Sequence, residues 1–189
     1  MFTAHIDNQR TESVAEHSLK AAERAAAYAE KLNLSASAKL QGLLHDLGKL
    51  CVDFDNYING RNSMKRGEID HAYAGARYLC ELSKETDDGL IKIAAGYISR
   101  TIISHHGLHD WLYDDGSSYF EHRISTEKRY DEILENIHDI ITRENALGLL
   151  KSAAAEIEEY DKMMKRLSSK NSMKYLFYCS LFERLMQSV

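Results

Sequence analysis

Five histidines and one aspartate carry the chemistry this sequence offers: His17, the adjacent pair His45-Asp46, His71, and the adjacent pair His105-His106. Each lies on, or continues, the apolar side of a helix expected from the spacing of hydrophobic residues. A lone imidazole on such a stripe is ordinarily a satisfied core residue. Five with a carboxylate, spread over four consecutive helices, need another account. Burying several imidazoles without partners costs free energy, whereas a metal ion serves as a shared partner for all of them. Helical neighbours point about 100° apart, so His45 and Asp46 cannot form the one-face chelate of an H-E-x-x-H motif. A carboxylate has two oxygens, so Asp46 could bridge two ions while His45 serves one. Gly42, one turn earlier, is expected to leave room beside that carboxylate. His105 and His106, at a helix end loosened by Gly107, could present both rings to one ion. Imidazole and carboxylate without thiolate suit Fe, Mn, Co, Ni or Zn. An incomplete protein shell leaves places for water and substrate, which favours a catalytic over a structural site.

The elements that must position these groups are helices. From Ser13 to Leu32, the residues Val14, His17, Ala21, Ala25, Tyr28 and Leu32 recur three or four apart as one stripe, and Ser13 with Glu16 forms a capping-box signature. A second helix starts near Ser35 or Ser37 and runs through Leu40, Leu43, Leu44 and Leu47 to a stop or kink at Gly48. A short helix around Asp53 to Ile58 offers Phe54 and Tyr57 as core anchors. A third long helix starts near Asp70, and Asp87 or Asp88 caps a fourth with the stripe Ile91, Ala95, Ile98, Ile102 and His105. Asp110 to Arg123 reads as irregular. Helix resumes from Ser125 to about Ile141, then from Thr142 to Leu167 as one piece about 40 Å long, and finally from about Ser172. No strand alternation, internal repeat or low-complexity tract stands out. The expected fold class is all-α, a compact bundle without the sustained heptads of a coiled coil.

Composition sets the outer bounds. The 189 residues fit a single domain able to bury a core. Lys and Arg number 24 against 29 Asp and Glu, for a net charge of −5, so any polyanion contact must be a local patch. There are no prolines, where average usage gives roughly nine. Cys51, Cys80 and Cys179 are an odd, scattered set, and the first ten residues have no signal-peptide core, so the chain reads as a reduced cytoplasmic protein. No apolar run approaches the ~20 residues needed to cross a bilayer.

In order, His17, GLLHDLGK (Gly42 to Lys49), HAYAGA (His71 to Ala76) and IISHHG (Ile102 to Gly107) resemble the HD metal-dependent phosphohydrolases. Within them the chain is most similar to the HD nuclease domain of the helicase-nuclease of type I CRISPR interference. AEHSLKAAERAAAYA and FDNYING add to the likeness, which runs from about residue 4 to 110 and resumes weakly in the last helix. The resemblance implies an HD-type helical bundle with two divalent transition-metal ions that hydrolyses phosphodiester bonds of single-stranded DNA. It implies His17, His45 and Asp46 on the first ion, and Asp46, His71, His105 and His106 on the second, with Asp46 bridging and catalytic. Lys49, one turn beyond His45, is expected to neutralise phosphate charge unless it is a surface helix-end lysine. The implied partners are single-stranded DNA, a CRISPR helicase (fused or separate) and an RNA-guided surveillance complex, with no membrane. The family's first ion takes a further Asp from a late helix, and no acidic residue follows Glu183 here. The expectation is therefore a single HD nuclease domain over residues 1–189, truncated at its C-terminus, with an under-ligated first-ion site, unless another carboxylate substitutes.

Weaker signals complete the reading. Arg61, Lys65 and Arg66 form a basic loop before His71 that could track a DNA backbone. Trp111, Tyr113, Tyr119 and Phe120 could stack unpaired bases or cap the bundle. His109 and His122 are candidates for substrate contact, whereas His5 and His138 read as terminal or surface residues. Two alternatives stand. One is an HD phosphohydrolase acting on nucleotides or cyclic dinucleotides; its cyclic-dinucleotide branch carries a G-Y-P element that a proline-free chain cannot contain. The other is a helical binding or scaffold module with a non-catalytic or incomplete metal site.

Overall fold

The computed structural model describes residues 1–7, 10–65, 68–106, 118–125 and 129–188. A short antiparallel hairpin, β1 (Thr3–Asp7) and β2 (Arg10–Ser13), leads directly into α1 (Val14–Ala29). The hairpin departs from the strand-free expectation. Its strands are too short to show an alternation, and its outer residues face water, so no hydrophobic pattern marks them.

The Ser13 hydroxyl accepts from the Glu16 N–H and starts α1, as the capping signature predicts. The buried stripe of α1, however, is Val14, Ser18, Ala22 and Ala29, while Tyr28 is 78% exposed. The expected stripe was rotated because it followed residue hydrophobicity. The contact is instead set by close approach: a Cβ on Gly42 would lie 2.5 Å from the Ala22 Cα. Gly42 thus lets α2 (Ser35–Leu44) seat on α1, and that seating, rather than room beside Asp46, is its structural use.

The second helix ends before its expected stop. Asp46 leaves helical geometry (φ −109°, ψ 18°), and the chain tightens into a 3₁₀ turn, Leu47–Lys49. Gly48 lies against His71: its N–H donates to the His71 carbonyl at 3.2 Å, and an added Cβ would meet that oxygen at 2.2 Å. The break therefore joins the two histidine-bearing segments.

Beyond it come α3 (Val52–Ile58), α4 (Tyr73–Ser83) and α5 (Gly89–Ile103), the last capped by Asp88 and burying Ile91, Ala95, Ile98 and Ile102 as expected. Part of the segment read as irregular is helical: Ser118 caps α6 (Tyr119–Ile124). Next are α7 (Tyr130–Asn136), then α8 (Arg143–Ser168) capped by Thr142, and α9 (Ser172–Met186) capped by Asn171. Helix α4 packs on α5, α8 lies against both α2 and α5, and α9 rests on α8. Among the described residues the fold is a helical bundle with one small hairpin. No described helix is long and apolar enough to cross a membrane.

Tertiary contacts hold the site-bearing helices in place. Leu34 gives α2 no side-chain cap. Glu156 of α8 supplies it from far along the chain, accepting from the Ala36 and Ser37 N–H groups at 2.7 and 2.9 Å and from the Ser37 hydroxyl at 2.7 Å.

Candidate metal centre

The break after α2 aims the Asp46 carboxylate inward, where it is 2% exposed. Its two oxygens face different histidines. Oδ2 lies 3.2 Å from Nε2 of His17 and 3.2 Å from Nε2 of His45. Oδ1 lies 3.5 Å from Nε2 of His71 and 3.6 Å from Nε2 of His105. His106 joins the second side, its Nε2 2.7 Å from that of His71. The residues expected to act together, drawn from α1, the α2 break, the segment before α4 and the end of α5, converge on one carboxylate.

The histidines are oriented through their other nitrogens. His45 Nδ1 donates to the Gly42 carbonyl at 2.9 Å, and His105 Nδ1 to the Ile102 carbonyl at 2.7 Å. His17 Nδ1 pairs with Glu12 Oε2 at 3.2 Å. A carbonyl or carboxylate on Nδ1 directs the Nε2 lone pair to the centre, the usual arrangement of metal-ligating imidazoles.

A cation fits what remains. Asp46 Oδ1 and His105 Nε2 are buried without a hydrogen-bond partner, although they face one another. Buried polar atoms of this kind demand a partner. Among the described residues, two groups bring ligand atoms within 4.8 Å of one another: Asp46 with His71, His105 and His106, and Asp46 with His5 and His17. All ligands are nitrogen or oxygen, a set for Fe, Mn, Co, Ni or Zn.

Electrostatics divides the site. Burial pushes the Asp46 carboxyl up, but the surrounding imidazoles of His105, His17 and His45 outweigh it and hold the group far below the usual carboxylate range. His17 is raised above 6.5, chiefly by its contact with Asp46. His71 is lowered to about 4, chiefly by burial.

Lys49 is not a surface lysine. It is 5% exposed, and its ammonium lies 2.8 Å from Asp46 Oδ2. It thus neutralises the buried carboxylate directly. The basic loop is less available than its composition suggests: Arg61 pairs with Asp55 at 3.2 Å, Lys65 is exposed, and Arg66 lies outside the described residues. His109, Trp111 and Tyr113 also lie outside them, while Tyr119, Phe120 and His122 are on α6. Glu183, the last acidic residue, faces Arg100 at 3.8 Å and belongs to neither metal-capable group.

Sequence reasoning missed three contributors. His5 stands with its ring centroid 4.6 Å from that of His17. Arg123 of α6 grips Asp70 with two nitrogens at 2.8 and 2.9 Å and donates to the Ile103 carbonyl at 2.9 Å. It ties the segment before His71 to the one before His105. Gln41 is buried, its side-chain nitrogen unpartnered among the described residues, in the wall of a cleft of about 680 Å³ that His45, His105, His106 and Arg184 also line. The capping residue Ser13 was visible in sequence, but these three act across long separations that no local pattern marks.

A buried carboxylate shared by histidines on both sides, inside a helical bundle, defines a metal-dependent hydrolase. The HD domain family matches residues 14–165, and the chain belongs to that family. No curated protein and no solved structure gives a significant match.

Proposed function

We propose that this protein is a nuclease that hydrolyses phosphodiester bonds of single-stranded DNA with a dinuclear centre, in CRISPR interference. It works beside a helicase that feeds it the strand and an RNA-guided surveillance complex that recruits both. The observation that carries the reading is Asp46, whose oxygens each face a separate histidine set. In this reading His17, His45 and Asp46 hold one ion, and Asp46, His71, His105 and His106 hold the other. When bound, such a pair activates water and polarises the phosphate.

The chain's own residues do the rest. Glu12 and the Gly42 and Ile102 carbonyls fix the imidazole orientations. Lys49 supplies a fixed counter-charge 2.8 Å from the bridging carboxylate of Asp46. Arg184, in the wall of the first cleft, supplies a guanidinium that would hold phosphate oxygens there. A second cleft, of about 460 Å³, opens beside His5 and His17 and carries Arg24 in its wall. The two clefts share Ala21 and flank the centre. Clefts on two sides of the centre give a strand room to enter and leave, which favours a polymeric substrate over a mononucleotide. The basic loop of Arg61, Lys65 and Arg66 is a further candidate for backbone contact, with Lys65 exposed and Arg61 held by Asp55.

The test is incubation with Mn²⁺ or Ni²⁺ and either circular single-stranded DNA or a panel of nucleotides and cyclic dinucleotides. Cleavage of the circle is expected, with loss of both metal and activity in His45→Ala and Asp46→Ala. Cleavage confined to the small molecules assigns the site to nucleotide hydrolysis instead.

A further inference from the structure

On the Oδ2 side of Asp46, the two histidines His17 and His45 are joined by a third that the hairpin delivers. We propose that His5 is a ligand of the ion on that side, so that the N-terminal hairpin completes the metal shell.

Three observations carry this. First, His5, His17 and Asp46 offer ligand atoms within 4.8 Å of one another, one of two such groups among the described residues. Secondly, the backbone aims His5 there. The pairing runs Thr3 with Ser13 but His5 with Glu12, an irregularity that sets His5 and Glu12 directly opposite. Directly opposite residues of an antiparallel pair share a face, and Glu12 is the residue that binds His17 Nδ1. A shift of this kind re-aims a side chain. His5 and Glu12 thus meet His17 from the same side, His5 by its ring and Glu12 by its carboxylate.

Thirdly, the strand is anchored rather than loose. The Thr3 N–H donates to Asp55 Oδ1 at 3.0 Å, Val14 donates to the Phe2 carbonyl at 2.9 Å, and Ala4 is 1% exposed. The anchors immediately precede His5, which itself stays exposed in the wall of the second cleft. A ligand on a fixed backbone with an accessible ring suits a position that must admit water and substrate. Lys49 does not close this side. A carboxylate oxygen has two lone pairs, so Oδ2 can accept from the ammonium and still bind an ion.

This inference rests on the dinuclear reading, and the experiment separates the two. The full chain, stripped with chelator, is titrated with Co²⁺ or Mn²⁺ and ion equivalents are counted, with Co²⁺ absorption recording the ligand field. Wild type is expected to bind two equivalents. His5→Ala and His5→Phe are expected to keep one and to weaken the second at least ~10-fold, with a changed Co²⁺ spectrum. His5→Phe keeps a ring against His17 while removing the donor, and so separates ligation from packing. Two equivalents of undiminished affinity in His5→Phe overturn the His5 assignment and leave the dinuclear centre standing. A wild-type chain that binds fewer than two ions overturns the dinuclear reading itself, and with it this one.

Discussion

Asp46 is a charge taken almost wholly out of water, and the identity of its neighbours follows from that. An isolated buried carboxylate is costly, so it must be matched by cations or hydrogen bonds. Lys49 supplies the fixed cation at 2.8 Å, and the imidazoles supply the adjustable part. Removing one partner of a buried pair leaves the other uncompensated. Lys49→Met is therefore expected to destabilise chelator-treated protein by about 3 kcal/mol. Saturating divalent ion should recover part of the loss, because it replaces the missing charge. Urea denaturation with and without chelator measures both; a variant as stable as wild type would remove Lys49 from this role.

The element scale explains how six groups from separate segments reach a common point. α2 ends before Asp46 because the chain must turn where Gly48 touches the His71 carbonyl, and its far end is capped by Glu156 of α8. Arg123 works in the same way on the other side. Its guanidinium holds Asp70 and the Ile103 carbonyl together, one residue from His71 and two from His105. Arg123→Ala is expected to weaken ion binding by about 10–100-fold on the Oδ1 side while the helical content stays that of wild type. Arg123→Lys, which cannot reproduce the planar two-nitrogen grip, is expected to recover little. Calorimetric titration and circular dichroism check this; unchanged ion affinity in Arg123→Ala shows that the clamp does not position the histidines.

For the whole molecule, the site couples stability to pH and metal. His71 has a folded value of about 4, below its free value of 6.5, so the fold resists its protonation while the unfolded chain accepts it. Stability from this group is intact above about 6.5 and is lost as pH falls towards 4, a span worth at most about 3 kcal/mol. Burial lowers His106 in the same direction. His17 has the opposite sign: its raised value stabilises below 6.5, and that contribution fades as pH rises through the folded value. Chelator-treated protein is therefore expected to lose thermal stability between pH 6.5 and 4, with a flatter profile in His71→Asn. A bound ion should add about 2.7 kcal/mol at 100 times its Kd. A melting midpoint that ignores both pH and ion would show that the cluster is not linked to folding.

What could be read along the chain was local. Ser13 and Asp88 cap helices through bonds to residues three and two ahead, and the stripe of α5 repeats within one element. The histidine motifs were equally visible, because their residue types and order survive without coordinates. The hairpin was not, since its strands are short and solvent-facing, nor was the true face of α1, where a glycine contact overrode hydrophobicity. The sequence by itself determined an all-α fold and named six groups fit to bind metal. The tertiary structure alone decided which oxygen of Asp46 each histidine faces, that Lys49 is buried on that carboxylate, and that His5 stands beside His17. The physical reason is range: caps and periodicity act within a turn or two, whereas a buried charge draws its partners from wherever packing brings them.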